Sequence, residues 1–289
     1  NHWVVAALDM EIYKWGIYQG FPVFLADTRT YTESAVPSKA DKRKQRTLAK
    51  KDNDYGSKGF QTVTKLKSAT VLQVLELGYS VVWSDLDIAW FDDPLTTLQG
   101  YIDKGELAIQ SNAPFVQTGD TVQPHPTVDK VKSDDPAAYR RLNSGLYAAP
   151  NTKMVRQAFR DIVTHAKTSD KTEQPSFDEI LCNINGSRRY KTHCVYARDG
   201  DSLNVRLLNR FQFANGAVLV SDGNRNVFDL GKDFEVHTGV PLVAAHNNWI
   251  RGNENKLQRH RAVGWWYAKD DESCLYPGDV ALGAYILAT

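Results

Sequence analysis

Residues 79–91 read YSVVWSDLDIAWF, and the interpretation of the whole chain turns on them. Residues 79–84 are apolar enough for a central strand, and they run directly into Asp85-Leu86-Asp87. Ile88, Ala89, Trp90 and Phe91 return to the core, and Asp92-Asp93-Pro94 makes a turn. Two carboxylates at the end of a segment that favours burial need a reason. Turn chemistry is one; a divalent cation is the other. Two positions apart, the side chains share a face of a straight strand, and in the turn that follows they can converge on one hard cation. A D-x-D triplet alone is common, so its surroundings have to decide.

Upstream, Val63, Leu66, Thr70, Val74 and Leu77 recur at three- and four-residue steps, and Gly78 stops the helix they predict. Laid on a sheet, that stripe aims the carboxyl end of the next strand, and hence Asp85, at the crevice where open α/β sheets bind ligands. Nearer the start, residues 3–8 read as a strand, residues 10–20 as a weak helix closed by Gly20-Phe21-Pro22, and residues 21–26 as a second strand. Strand, helix, strand is the rhythm of a parallel α/β sheet. Residues 28–59 break it with a charged, apolar-poor insertion.

Downstream, residues 107–110 predict a strand ending at Ser111-Asn112. Residues 112–141 carry four prolines and little periodicity, the pattern of a long acceptor-side or active-site loop. Asn143-Ser144-Gly145 then precedes a strand over 146–149. Val155, Phe159, Ile162, Val163 and Ala166 mark a helix, which residues 168–173 end. Another helix spans about 175–184 with Pro175 in its first turn. Residues 203–220 suit short antiparallel strands, and residues 240–245 form a buried strand that delivers His246-Asn247-Asn248. With no internal repeat or linker, residues 1–289 read as one domain.

The 289 residues carry a formal charge of +1 with 42% in the hydrophobic set, enough for one large core or a core with a smaller lobe. Near-neutrality gives no global attraction to nucleic acid or acidic membrane. No run approaches the roughly 18 apolar residues of a membrane span. The chain opens at Asn1 and enters WVVAAL almost at once, as an excised region would, with any leader or anchor lying upstream. Cys182 and Cys194 stand twelve positions apart around Asn185-Gly186-Ser187-Arg188-Arg189. They could close a short loop in an oxidising compartment, leaving Cys274 unpaired, but three cysteines do not decide the compartment. Asn185 heads an N-x-S triplet that matters only in a lumenal or secreted chain and otherwise reads as an Asn-Gly turn.

His246 strengthens the metal reading of Asp85 and Asp87, because a doubly wound sheet can bring the ends of distant strands together. An imidazole with two carboxylates suits Mn²⁺ and also admits Mg²⁺. Lys256 follows ten residues later, past Gly252, where a flexible loop lets an ammonium reach phosphate oxygens. There is no G-x-x-x-x-G-K-[ST], G-x-G-x-x-G or G-x-S-x-G, which argues against P-loop, dinucleotide and α/β-hydrolase classes. A metal-dependent phosphohydrolase would need a second carboxylate/histidine cluster, and the sequence offers none.

Lys67 and the run LELGYSVVWSDLDIAWFDDP, followed in order by LNSGLYAAPNT, EQPSFDEIL and AHNNWIRGNENKLQRHRAVGWW, give a pattern far more specific than D-x-D alone. Over most of residues 57–267 it resembles the GT-A glycosyltransferases. The closest likeness is to the nucleotide-diphospho-sugar transferase family of plant-type arabinosyl-, galactosyl- and xylosyltransferases (glycosyltransferase family 77). The resemblance implies an α/β GT-A fold: a Rossmann-like, mostly parallel central sheet flanked by helices, with a small antiparallel portion. It implies a retaining, Mn²⁺-dependent enzyme that moves galactose, arabinose or xylose from a UDP-sugar to a glycan or glycoprotein. A lectin-like protein of the same fold, without turnover, is the alternative.

By the same resemblance, Asp85, Asp87 and His246 hold the metal and Lys256, past Gly252, binds the diphosphate. Leu8 and Asp9 lie near uridine, and Lys67 points toward the donor. Ser111, Asn112, Asn143, Ser144 and Gly145 line the sugar and its leaving-group face. Gln174 and Asp178 match the block that meets the sugar hydroxyls or anomeric face, although Glu173-Gln174 stands where the family pattern has Asp-Gln. No side chain declares itself a covalent nucleophile. A first nucleotide-binding strand and helix are expected at or ahead of Asn1, and any membrane anchor outside the chain. The implied compartment is the Golgi lumen, with the chain as the catalytic part of a type II membrane protein, which favours both the Cys182–Cys194 bridge and use of Asn185.

Overall fold

A computed structural model describes residues 3–26, 58–111, 142–170, 172–182, 193–209, 212–216, 241–262 and 266. Asn112, Asn185, Cys274, the 112–141 loop and all but the end of the charged insertion lie outside the described residues. In chain order the first elements are β1 (Val5–Ala7), α1 (Met10–Tyr18), β2 (Val23–Leu25), α2 (Lys58–Glu76), β3 (Val81–Ser84), β4 (Ile88–Trp90), α3 (Pro94–Asp103) and β5 (Leu107–Ser111). Then follow β6 (Leu142–Ala149), α4 (Lys153–Thr168), α5 (Gln174–Phe177) with a π-helical turn over Asp178–Cys182, β7 (His193–Arg198), β8 (Asp201–Leu207), β9 (Phe213–Ala214), β10 (Ala244–His246) and α6 (Asn253–Ala262). They fall into two units, residues 1–81 with 150–181, and residues 82–149 with 182–289. The fold is α/β.

In the first unit β1 and β2 pair in parallel, Val5 opposite Val23, joined through α1. Asp9 caps α1, its Oδ1 accepting from the backbone N–H of Glu11 and of Ile12, each at 2.8 Å. Gly16 lets the helix lie close on β2, since a Cβ there would come within 3.1 Å of Val23 Cγ1. α2 packs on α4. The face that α4 buries is the one its spacing predicts: Val155, Ala158, Phe159, Ile162, Val163 and Ala166. Each such aliphatic or aromatic side chain removed from water contributes about 1.5–3 kcal/mol. Thr152 caps that helix, and Pro175 occupies the first turn of α5 as expected.

The face of α2 follows its predicted stripe only in part. Leu66 and Thr70 of that stripe are buried, with Ala69, Val71 and Leu75 beside them, whereas Leu77 is exposed. The helix ends at Glu76, so Leu77 lies beyond its last turn, and Gly78 at φ +99° completes the stop. Asn151 secures the end by donating from Nδ2 to the Leu75 carbonyl at 2.6 Å.

In the second unit the sheets are mixed, correcting the expectation of a mostly parallel one. Five strands run in the order β3-β6-β5-β8-β7 and three in the order β4-β10-β9. β5 is antiparallel to β6 and parallel to β8, β7 is antiparallel to β8, and β10 is antiparallel to β4 and parallel to β9. The hairpin explains part of this. Asp199 (φ 52°) and Gly200 (φ 85°) make a two-residue connection with both φ positive, a turn that joins only antiparallel neighbours.

Two local expectations also change. Among the described residues, 79–84 do not form a central strand: β3 begins at Val81, is half-buried and is outermost of its five. An apolar run reports burial on at least one face and does not separate an edge strand from a central one. Asn143-Ser144-Gly145 does not precede β6 but lies inside it, buried throughout. The core gathers Ile88, Leu98, Ala108, Leu146, Ala148, Leu208, Phe213, Val243 and Ala244. Leu98 comes from α3, a helix that Asp93 caps by accepting from Leu95 N–H with Pro94 in the first turn. Cys182 and Cys194 are linked in a disulfide. Among the described residues no helix is long and apolar enough to cross a membrane.

Candidate metal centre

The polypeptide turns sharply between β3 and β4, with Leu86 almost wholly in solvent. That outward residue leaves Asp85 and Asp87 on the other side of the turn. Asp85 is fixed from two directions. Its N–H donates to the Gly145 carbonyl at 2.7 Å. Its Oδ1 accepts from Trp83 Nε1 at 3.1 Å, and Trp83 is itself stacked on Tyr147. Asp87 is fixed through its carbonyl, which accepts from Asn247 N–H at 2.7 Å. Because β10 pairs with β4, His246 stands opposite Ile88, one residue past Asp87. Antiparallel register is what brings residues so far apart in sequence together.

The buried His246 ring points its Nε2 at Asp87 Oδ1, 3.2 Å away, and lies 4.0 Å from Asp85 Oδ2. Its Nδ1 lies 2.9 Å from Oε1 of the buried Gln110. Gln110 Nε2 in turn donates to the carbonyls of Phe213 and Ala214, both at 3.0 Å. Lys256 Nζ donates to Asp87 Oδ2 at 2.6 Å. Burial works to raise the Asp87 pKa, but the hydrogen bond and charge of His246 and the Lys256 ammonium outweigh it and hold the carboxyl below its ordinary range.

One ligand atom from each of Asp85, Asp87 and His246 lies within 4.8 Å of the others, the one such group among the described residues. Two carboxylate oxygens and an imidazole nitrogen fit a divalent ion of the Mn²⁺ or Mg²⁺ type. Gly145 leaves the space. A Cβ there would run into His246 Cε1 and lie 2.9 Å from Asp85 Oδ2.

Lys256 sits on α6, where its N–H donates to the carbonyl of Gly252 (φ +85°). Asn247 Nδ2 donates to the Lys256 carbonyl at 2.8 Å. Arg259 holds the same segment, through Asn247 Oδ1 and, at 2.6 Å, the Asn248 carbonyl. Ser111 ends β5 buried and accepts at its carbonyl from Asn215 Nδ2. Asn143 Oδ1 accepts from Gly145 N–H, and Ser144 is buried between them. Thus Asp85, Asp87, Gly145, His246 and Lys256 come together. Leu8, Asp9, Lys67, Gln174 and Asp178 belong to the first unit: Asp9 as the α1 cap, Lys67 half-buried on α2, Gln174 opening α5, and Asp178 buried at the following turn. Sequence reading missed Gln110, Trp83 and Arg259. Trp83 and Arg259 each stood inside a quoted block, residues 79–91 and 245–266, whereas Gln110 had no signal.

The chain matches the model of the family described as nucleotide-diphospho-sugar transferase over residues 1–260, and it belongs to that family. It is similar to the beta-arabinofuranosyltransferase RAY1 of Arabidopsis thaliana, 35% identical over 269 residues, 92% of this chain and 42% of that one. A UDP-D-xylose:L-fucose alpha-1,3-D-xylosyltransferase of the same plant is 23% identical over 219 residues, 75% of this chain and 52% of the other. The UDP-galactose:fucoside alpha-3-galactosyltransferase of Dictyostelium discoideum is 27% identical over 228 residues, 75% of this chain and 30% of its own. The chain therefore spans about half, or less, of these relatives. No solved structure matches it.

Proposed function

We propose that residues 1–289 are one catalytic region, of GT-A type, of a glycosyltransferase that moves galactose, arabinose or xylose from a UDP-sugar to a hydroxyl of a glycan or glycoprotein, with retention at the anomeric carbon. The observation that carries this reading is the convergence of Asp85, Asp87 and His246 on one point beside the Lys256 ammonium, in a chain whose similar proteins are named for transfer of these sugars. Asp85, Asp87 and His246 would hold Mn²⁺, or Mg²⁺ in its place. When bound, the cation supplies positive charge against the diphosphate that leaves the anomeric carbon.

The chain's own residues do the rest. Lys256 exchanges Asp87 for phosphate oxygens and so adds charge where the leaving group needs it. Ser111, Asn112, Asn143, Ser144 and Gly145 flank the sugar and its leaving-group face. Gln174 and Asp178 meet the sugar hydroxyls or anomeric face. Leu8 and Asp9 lie near uridine, Asp9 also capping α1. Lys67 serves the donor side. The leaving phosphate takes the acceptor proton, which removes the need for a protein nucleophile. A Golgi lumen accords with the Cys182–Cys194 disulfide, which persists in an oxidising compartment.

Titration calorimetry of UDP with and without Mn²⁺ tests the reading. In D87A the metal-dependent part of the affinity falls by more than about 100-fold, beyond what loss of an outer partner gives. Metal-dependent UDP binding that survives D87A unchanged sinks the assignment. Release of free UDP on a donor and acceptor panel then separates an enzyme from a lectin-like binder.

A further inference from the structure

The sequence pattern assigns Gln110 nothing, yet it sits at the centre of the hydrogen bonding behind the cluster. It is wholly buried near the end of β5. The orientation of its amide is set by two acceptors: both Phe213 and Ala214 present carbonyls at 3.0 Å, and only an NH₂ group can satisfy them. Oε1 is thereby the atom that faces His246 Nδ1 at 2.9 Å. An oxygen there accepts, so Nδ1 must carry the hydrogen. Turning the amide over would set Oε1 against two carbonyls and leave three acceptors without a proton between them, inside a buried site where each lost partner costs about 1–3 kcal/mol.

We propose that Gln110 is the positioning residue of the metal centre: it keeps a proton on Nδ1 of His246 and so makes Nε2 the nitrogen that faces Asp85 and Asp87. The two nitrogens of an imidazole are distinct, and the hydrogen bond at one decides what the other can do. Gln110 also ties β5 to β9, the strand beside β10, so the ring is oriented by the same residue that spaces its two sheets. The inference rests on reading the cluster as a metal site, but its first test needs no metal.

Side-chain ¹⁵N–¹H correlation spectra of the metal-free protein, assigned by difference against His246→Asn, report whether Nδ1 carries a proton while Nε2 faces the Asp87 carboxylate. Wild type is expected to show Nδ1–H. Finding Nδ1 without a proton overturns the proposal without touching the metal assignment. Gln110→Met removes the acceptor at similar length and is expected to lose the Nδ1–H signature and about 10–100-fold in Mn²⁺ affinity by calorimetry. Gln110→Glu keeps an acceptor opposite Nδ1 but sets its second oxygen against the Phe213 and Ala214 carbonyls, so it is expected to keep the Nδ1–H signature at a cost in stability and to bind Mn²⁺ more tightly than Q110M. A folded Q110E protein as weak as Q110M, with Nδ1–H lost in both, assigns Gln110 to bracing β9 and overturns the positioning role. Wild type with Nδ1–H that takes up neither Mn²⁺ nor Mg²⁺ overturns the metal reading of the cluster, and with it any service of Gln110 to a metal.

Discussion

The second unit holds two acid–base pairs that look alike as distances and differ in kind. Glu106, just ahead of β5, meets Arg206 of β8, whose Nε and Nη2 reach its Oε1 at 3.0 and 2.8 Å, and Asn204 Nδ2 joins at 3.2 Å. Asp87 meets Lys256 at 2.6 Å and shares its other oxygen with His246. The first pair is knit into adjacent parallel strands, Ala108 lying opposite Arg206. A planar guanidinium in a fixed sheet has nowhere to go. The second is a compact ammonium on a flexible stem, reaching from α6 to a carboxylate that has a second carboxylate and an imidazole for neighbours. The first pair reads as a fastening; under the proposed function the second is an exchangeable contact, and what tells them apart is the second carboxylate and the imidazole beside Asp87.

The harshest way to break this comparison is to fill the space around the exchangeable pair. Gly145→Ala drives a methyl at His246 and Asp85. Metal affinity is expected to drop by at least about 10–100-fold, with an overpacking cost of about 1–3 kcal/mol in thermal or urea unfolding. A variant that binds Mn²⁺ as wild type does would show that the three ligands need not meet as they do here. Lys256→Met is gentler and should have opposite effects on two ligands. Freed of its ammonium, Asp87 is expected to hold Mn²⁺ alone more tightly. UDP in the presence of Mn²⁺ is expected to bind about tenfold or more weakly for want of a charged hydrogen bond. Equal losses for both ligands would mean that Lys256 does not alternate between Asp87 and phosphate.

What the sequence could reveal divides along the same line. Asp85, Asp87, His246 and Lys256 were legible because chemistry confines such sites to a few residue types and because they fall within recognisable blocks. The face of α4 was legible because one periodicity controls it. Gln110 was not, since a glutamine near the end of an apolar strand carries no pattern and its meaning depends on contacts made more than a hundred residues away. α3 was missed although Asp93-Pro94 is a helix start as well as a turn, and Leu98, Tyr101 and Ile102 supply the spacing. Asp199-Gly200 was a legible hairpin signal passed over. The edge position of β3 is different, because strand order follows from pairings that local apolarity does not encode.

The smallest expected effect tests the fastening. Arg206→Met should leave Mn²⁺ affinity unchanged and lower stability by about 1–2 kcal/mol at neutral pH, because the largely buried Glu106 loses its charged donor. The dependence on acidity makes the test specific. Glu106 has its pKa lowered, chiefly by the Arg206 hydrogen bond and against its own desolvation. A depressed carboxyl contributes stability above its unfolded pKa and loses it as pH falls through the folded value. His193, opposite Arg206 across β7 and β8, has its pKa lowered by burial first and by Arg206 second, with Glu106 opposing. A histidine shifted that way costs wild type stability as pH falls below the ordinary imidazole range of about 6.5, and removing Arg206 relieves part of that cost. Both contributions act in one direction, so the gap between wild type and R206M should narrow on acidification, first in the imidazole range and again below the carboxylate range. Urea unfolding across that pH series measures it, and a gap that stays constant would remove Glu106–Arg206 from the role of fastening.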